Sequence, residues 1–169
     1  MRKLLIVFML MLPAAAAAQT CPEWTLENSD STRYETRLLR STPWIDTVAQ
    51  TLFDEGLDAK WLYLMLAESG GNPAAQSKHG AHGPWQLMPA TAKHYGCNDL
   101  TDPAESTRAA ARYIKKLLRD FDNDRDVVIA YNMGGTNYKK KGRATAQAEA
   151  LANEVMCLFM HDPLHLTSY

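Results

Sequence analysis

The sequence predicts a mainly α-helical domain, and three observations support that fold class. Apolar residues recur at the three- and four-residue spacing of one helix face between residues 44 and 160. Capping residues and glycines bracket these runs, as Gly56 and Asp58 do between the first two helices. No strand-rich stretch or internal repeat competes with this pattern. The 169 residues suffice for one domain with a hydrophobic core of its own, and they are too few for two domains of typical size.

The first 18 residues are typical of a secretory signal peptide. Arg2-Lys3 precedes a short apolar run, and small residues follow as far as Ala18. A membrane anchor is the alternative, but the run is short for a helix that crosses a bilayer. We therefore expect cleavage after Ala18, no stable membrane insertion afterwards, and a periplasmic or secreted location.

Charge and cysteine content narrow the function classes further. The net charge of −1 becomes more negative once the signal peptide is removed, and no basic tract predicts a nucleic-acid partner. Cys21, Cys97 and Cys157 are an odd number for an oxidising compartment, which favours one disulfide and one free thiol. The pairing stays open, with Cys97–Cys157 favoured because Cys21 falls in a predicted tail; a catalytic thiol is disfavoured.

The elements follow in order after a polar N-terminal extension over residues 19–42. The first helix is predicted to start with Thr42 as its cap and Pro43 in its first turn, and Gly56 ends it. Its apolar face is expected to carry Trp44, Ile45, Val48, Leu52 and Phe53. Asp58 is expected to cap a second helix whose residues 61–66 are apolar nearly all round, which predicts a central, buried helix.

The remainder alternates loops and helices as far as residue 160. Residues 70–88 form a predicted functional loop, and a short helix over residues 89–95 follows. Asp102-Pro103 is expected to open a long amphipathic helix, with Asp102 as its cap. Further helices are predicted over residues 124–133 and 143–160, with Lys139-Lys140-Lys141 as a solvated turn between them and residues 161–169 as a tail.

Glu68 is the carboxylate that stands out by its position. It falls at the C-terminal end of the most apolar predicted helix, directly before a glycine-rich loop. Poor solvation and the negative end of a helix both disfavour the ionised carboxyl, so its pKa is expected to rise. A raised pKa suits a general acid for a sugar leaving group. An ordinary solvated glutamate is the alternative, and Glu68 taken alone favours that alternative.

Several short segments around and after Glu68 reverse that preference. They are Glu68-Ser69-Gly70-Gly71-Asn72-Pro73, residues 75–89 around Gly83-Pro84-Trp85-Gln86, Thr91-Ala92, Tyr95-Gly96, Asp102-Pro103, residues 109–114 and Ala130-Tyr131-Asn132-Met133-Gly134. In this order they resemble the catalytic domain of the soluble lytic transglycosylase family, nearest to the branch named after membrane-bound murein transglycosylase D. The resemblance implies a lysozyme-like helical domain, of the goose-type and SLT kind, with a substrate groove. It covers roughly residues 44–135.

The resemblance also assigns residues to roles. It implies that Glu68 is the single catalytic acid and base, and that peptidoglycan is the substrate, cleaved with a 1,6-anhydro end and no cofactor. Substrate-binding positions implied by the matched motifs are Ser69, Ser77, Gly83, Trp85, Gln86, Met88, Tyr131 and Asn132. Trp85 is expected to stack on a sugar, whereas Trp44 and Trp61 suit the core. Pro84 and Val127-Val128-Ile129 depart from the family pattern.

Other interpretations remain beside this one. His79 and His82 have a spacing that suits a metal, but no further ligand pattern accompanies them, so no metal is predicted. The lysine run 139–141 is a candidate for contact with anionic wall polymers. A hydrolytic lysozyme of the same fold and a non-catalytic glycan-binding or assembly module are the rival functions. An envelope-spanning machine is kept as a candidate partner.

Overall fold

The computed structural model describes residues 43–161, and the predicted signal peptide, N-terminal extension and nearly all of the tail lie outside them. Within that range the chain forms seven α-helices and no named strand, so the predicted fold class is confirmed. A 3₁₀ turn, Ala59–Trp61, precedes the second helix. The helices are α1 (Ile45–Asp54), α2 (Leu62–Ser69), α3 (Pro89–His94), α4 (Pro103–Asp120), α5 (Asp124–Met133), α6 (Gly135–Lys141) and α7 (Ala146–His161).

Helix α2 is the centre of the core, as its apolar sequence predicts. Its first five residues, Leu62 to Leu66, are all buried, and it packs against α7. Trp61 meets Phe159 of α7 edge to face, with ring centroids 5.4 Å apart. Asp58 accepts a hydrogen bond from the Lys60 amide at 2.8 Å and so caps the 3₁₀ turn. Helix α2 ends at Ser69, so its last turn carries the partly buried Glu68.

Helix α1 packs on α4 through Val48 and Leu52, which are fully buried. The predicted start is wrong: the helix begins at Ile45 after an N-cap without a side-chain hydrogen bond, so Pro43 precedes the first turn. The prediction that Phe53 lies on the apolar face of this helix is also wrong, because the residue is 75% exposed. One residue advances the helix by about 100°, so Phe53 turns away from the face that Leu52 fills.

Helix α4 begins where the sequence predicts. Asp102 Oδ1 accepts a hydrogen bond from the Glu105 amide at 2.7 Å, and Pro103 occupies the first turn. The cap role of Asp102 is therefore confirmed. Three consecutive alanines, residues 109–111, are buried, and their small side chains allow neighbouring elements to pack close to α4. Lys115 and Arg112 of α4 both pair with Glu55, just after α1.

The predicted solvated turn at Lys139-Lys140-Lys141 is wrong, because these lysines lie in helix α6. Gly134, with φ of 80°, redirects the chain after α5, and a new helix begins at Gly135. A Cβ on Gly135 would approach Leu117 Cδ2 to 2.9 Å, so the glycine permits close packing on α4. Tyr138 donates to Asp126 Oδ1 at 2.7 Å and ties α6 to α5.

The favoured pairing of Cys97 with Cys157 is wrong. Cys97 is buried with a free thiol, and burial raises the pKa of that thiol to about 11. Cys157 is disulfide-bonded, and Cys21 lies outside the described residues.

None of the helices between residues 43 and 161 combines the length and the hydrophobicity that crossing a bilayer requires.

Candidate active site

A cavity of about 430 Å³ lies where α2 ends and α5 ends, beneath the loop that precedes α3. Six elements contribute to it: the end of α2, the loop, α3, α4, the α5–α6 junction and the start of α7. The polar and sulfur-bearing side chains that line it are Glu68, Ser77, His79, Gln86, Met88, Thr91, Tyr113, Tyr131, Asn132, Met133, Asn137 and Gln147. Most of these groups are neutral, which suits an uncharged polar ligand such as a sugar.

Glu68 is the carboxylate that faces this cavity. Desolvation by the surrounding core raises its pKa to about 7, the hydrogen bond from the Asn132 side chain opposes that rise, and the charge of Glu154 on α7 adds to it. Gly70 adopts the left-handed conformation, with φ of 62°, and ends the helix two residues after Glu68. A carboxyl with a pKa near neutrality can give up and take back a proton in one reaction cycle.

Tyr131 and Asn132 reach the cavity from the last turn of α5. Tyr131 donates its hydroxyl proton to the Trp85 carbonyl at 2.8 Å, and its ring stacks at a tilt on Tyr113, 5.3 Å away. Burial, then the nearby Glu68, hold the pKa of Tyr131 well above its usual value, so the hydroxyl keeps its proton. Tyr131 therefore fastens the loop to α5, whereas Asn132 supplies the hydrogen bond to Glu68.

Gln86 has a backbone conformation that directs its side chain back into the loop. Its φ is 48°, in the left-handed region that non-glycine residues rarely adopt. The amide nitrogen donates to the Gly83 carbonyl at 2.8 Å and to the Ala75 carbonyl at 3.2 Å. Both amide protons are thus used within the loop, and the side-chain oxygen remains to accept a hydrogen bond from a ligand.

Gly83 and Ser69 shape the loop and are not among the residues that line the cavity. Gly83 has a φ of 77°, and a Cβ there would overlap the carbonyl oxygen of Leu100. Ser69 donates its hydroxyl to the Pro84 carbonyl at 2.7 Å and accepts from the Asn72 amide at 3.2 Å. Both residues therefore hold the loop over the end of α2, a structural role that the matched motif does not reveal.

The predicted stacking role of Trp85 is wrong. Its side chain is 0% exposed, and its indole nitrogen donates to Thr107 Oγ1 of α4 at 2.8 Å. No face of the ring is open to a ligand. Because Trp85 belongs to a polar, glycine-rich loop, its ring is expected to be exposed. The loop instead places the ring in the core, against Thr107 of α4. Trp61 is buried as expected, and Trp44 packs against the core edge.

Ser77, Met88 and His79 form the outer wall of the cavity. Ser77 Oγ accepts from the Ala81 amide at 2.9 Å and the His79 amide at 3.3 Å, so its own proton is left for a ligand. Met88 is 46% exposed at the mouth. His82 pairs with the backbone of Leu87 in the loop and lies apart from the lining.

Besides His79, four lining residues with hydroxyl or amide side chains were given no substrate-binding role by the sequence: Thr91, Tyr113, Asn137 and Gln147. Tyr113 recurs at helical spacing with the apolar residues of α4, and a hydroxyl at such a position is a signal for a polar neighbour. That hydroxyl accepts from the Gly135 amide at 3.3 Å. Gln147 gave no local signal, because only the packing of α7 against α5 brings it to the cavity.

Comparisons with known proteins agree with this geometry. The family model described as "Transglycosylase SLT domain" matches residues 54–153. The chain is 33% identical over 103 residues to the "Transglycosylase" of Enterobacteria phage PRD1, covering 60% of this chain and 38% of that protein. It is 30% identical over 103 residues to "Membrane-bound lytic murein transglycosylase D" of Escherichia coli (strain K12), covering 57% of this chain and 23% of that protein. The chain thus spans well under half of the length of these relatives.

Proposed function

The chain belongs to the transglycosylase SLT domain family, and from that premise we propose that it is an exported peptidoglycan lytic transglycosylase. Its fold is accordingly the mainly helical, lysozyme-like domain of that family. The relatives named as murein transglycosylases support peptidoglycan as the substrate. Residues 43–160 would form the catalytic domain, after removal of residues 1–18 during export to the periplasm or the exterior.

One observation carries the proposal: Glu68 is the carboxylate among the residues lining the cavity, and its pKa lies at about 7. A shielded carboxyl of this kind is partly protonated at neutral pH and can protonate a leaving-group oxygen. In the proposed reaction, Glu68 gives its proton to the oxygen of the bond between N-acetylmuramic acid and N-acetylglucosamine. The glucosamine hydroxyl then leaves as that bond breaks.

The second half of the reaction needs no second carboxylate. Most glycosidases use two, with substrate-assisted exceptions, and here the muramyl acetamido group would shelter the positive charge at C1. The carboxylate of Glu68 then takes the proton of the muramyl C6 hydroxyl. The C6 oxygen bonds to C1 and closes the 1,6-anhydro ring, and Glu68 returns to its protonated form without consuming water.

The polar atoms left over in the cavity fit this substrate. The Ser77 hydroxyl and the Asn132 amide can donate to sugar oxygens, and the Gln86 oxygen can accept from an acetamido N–H. Met88 and the Tyr113 ring offer apolar surface for a sugar face. Gln86 and Ser77 can make these contacts while they keep the hydrogen bonds that hold the loop, so substrate binding requires no rearrangement of either side chain.

Mass spectrometry of the fragments released from purified peptidoglycan tests the proposal. Anhydro-ended muropeptides are expected from the mature chain, and none from the matched Glu68→Gln protein. A reducing end would instead identify a hydrolytic lysozyme of the same fold. Glycan binding without any cleavage would identify a non-catalytic binding module.

A further inference from the structure

We propose that a basic segment beside the cavity binds the carboxylates of the peptide stems carried by the glycan. The segment is defined by Lys140, Lys141 and Arg143. The inference rests on the proposed function for the identity of the glycan, and it adds a selectivity for strands that still bear their peptides.

The basic segment follows a cavity-lining residue of α6 in the chain and precedes a cavity-lining residue of α7. Asn137 of α6 and Gln147 of α7 both line the cavity, and the three cations lie between them in the chain. Lys140 and Lys141 follow Asn137 by three and four residues, so they share its face of α6. Gly142, with φ of 63°, ends the helix, and Arg143 comes directly after it.

The cations of the basic segment are exposed, and no ion pair is formed by any of them within residues 43–161. The neighbouring acids already have partners. Asp120 pairs with Lys116 and Lys139, and Glu149 pairs with Arg125. The positive charge at the cavity edge is therefore left for a ligand.

Lys139 lies on a different face of α6 from Lys140 and Lys141, and it has partners within the fold. Its Nζ lies 3.3 Å from Asp120 Oδ2 and 5.3 Å from the Phe121 ring centroid. A rotation of about 200° separates it from Asn137, so it lies on the side away from the cavity. Lys139 is thus used within the fold, whereas Lys140 and Lys141 are not.

The chemistry of the glycan explains what these cations would meet. Each peptide stem leaves the sugar chain at the lactyl group of the muramic acid and carries free carboxylates. The cavity itself offers a stem carboxylate little, because its lining is mostly neutral and includes Glu68. A strand with its sugars in the cavity would send its stem outward, across the edge where the basic segment lies. A single exposed ion pair contributes little to binding, and salt screens it. Several such pairs together favour the recognition of strands that carry acidic stems.

A charge-reversal pair tests the inference. One protein carries Lys140→Glu and Lys141→Glu; the control carries Arg108→Glu and Arg119→Glu, the same charge change on exposed cations of α4 that do not share the face of Tyr113. Each is assayed on the same strands with stems and after an amidase has removed the stems. We expect the lysine pair to lower kcat/KM about tenfold on stem-bearing strands and less than about twofold on bare glycan. The control should match the parent on both.

Two results would overturn the inference: equal activity of the lysine variant and the parent on both substrates, or an equal loss on both. A binding assay separates this from failure of the proposed function. Glu68→Gln protein, with and without the lysine changes, is sedimented with stem-bearing and stem-free sacculi. If the parent cleaves neither substrate, the proposed activity fails, whereas stem-dependent retention that needs the lysines still supports the basic segment. Retention on heparin beads that needs the lysines equally would overturn the selectivity for stems.

Discussion

The side chain of Asn132 hydrogen-bonds the carboxyl of Glu68, joining the last turn of α5 to the end of α2. This bond favours the ionised carboxylate, while burial and the charge of Glu154 favour the protonated form. Burial is the largest of these effects, so the pKa settles at about 7. The two helices therefore position the same carboxyl that the core keeps partly protonated.

Replacement of Glu68 by Gln should abolish cleavage of peptidoglycan. Glutamine keeps the shape of the side chain but cannot deliver a proton, and such acid–base roles contribute roughly 10²- to 10⁴-fold in rate. Turnover is measured by release of soluble muropeptides, with circular dichroism confirming that the variant is folded. Activity close to that of the parent in a folded variant would refute the assignment of Glu68.

The pH dependence should follow the protonation of Glu68. Because the acid must be protonated for the first step, kcat/KM should fall as the pH rises through about 7. Glu154→Gln removes a like charge, lowers the pKa of Glu68, and should move this alkaline limb to lower pH. Asn132→Ala removes a bond to the ionised form and should move it to higher pH.

The two variants act as controls for each other, because opposite shifts cannot arise from a general loss of stability. Profiles of kcat/KM between pH 5 and 9 on a defined glycan measure both. An alkaline limb that stays in place in both variants would show that another group titrates there.

Tyr131→Phe and Gln86→Ala should be slow but alive, with an unchanged anhydro product. Phenylalanine leaves the buried Trp85 carbonyl without its donor, which costs about 1–3 kcal/mol. Alanine at position 86 removes both loop bonds of the amide nitrogen and the amide oxygen that is proposed to accept from the substrate. Kinetics and thermal melts of each variant separate the effects. Parental rates in either protein would show that its side chain serves the fold alone.

Gly83→Ala should destabilise the protein far more than Gly56→Ala. Both glycines have a positive φ, but a Cβ at position 56 meets nothing within 4 Å, whereas one at position 83 would overlap the Leu100 carbonyl. The strained backbone alone costs about 1–2 kcal/mol, and the overlap should bring the loss at Gly83 to about 3 kcal/mol or more. Urea unfolding measures the difference; equal losses would mean that the loop moves aside.

Export and redox state provide a last expectation. The mature protein should begin at Gln19 and carry one disulfide, which we propose joins Cys157 to Cys21 because Cys97 is a buried free thiol. Cys97→Ser should therefore keep the disulfide, and Cys157→Ser should lose it. N-terminal sequencing and thiol titration of oxidatively folded material measure both. A chain that begins at Met1, or a Cys157→Ser protein that retains a disulfide, would contradict this.

The sequence by itself determined the helices whose signals are local. The all-round apolar run in α2 predicts its burial, and Asp102 caps α4 as predicted. Asp58 caps the 3₁₀ turn that leads into α2 rather than α2 itself. The position of Glu68 at the end of that run also predicts a poorly solvated carboxyl, in agreement with its raised pKa. These inferences succeed because capping and periodicity depend on residues within one or two turns.

Only the tertiary structure decided which side chains meet at the cavity. Trp85 and Gln86 are neighbours in one loop, yet the first is inserted into the core against Thr107 while the second borders the cavity. Gln147 reaches the same cavity from a helix that starts some 80 residues after Glu68. Burial of a loop residue and convergence of distant helices depend on tertiary contacts such as those of α7 with α2 and α5, which no pattern within one or two turns of a helix specifies.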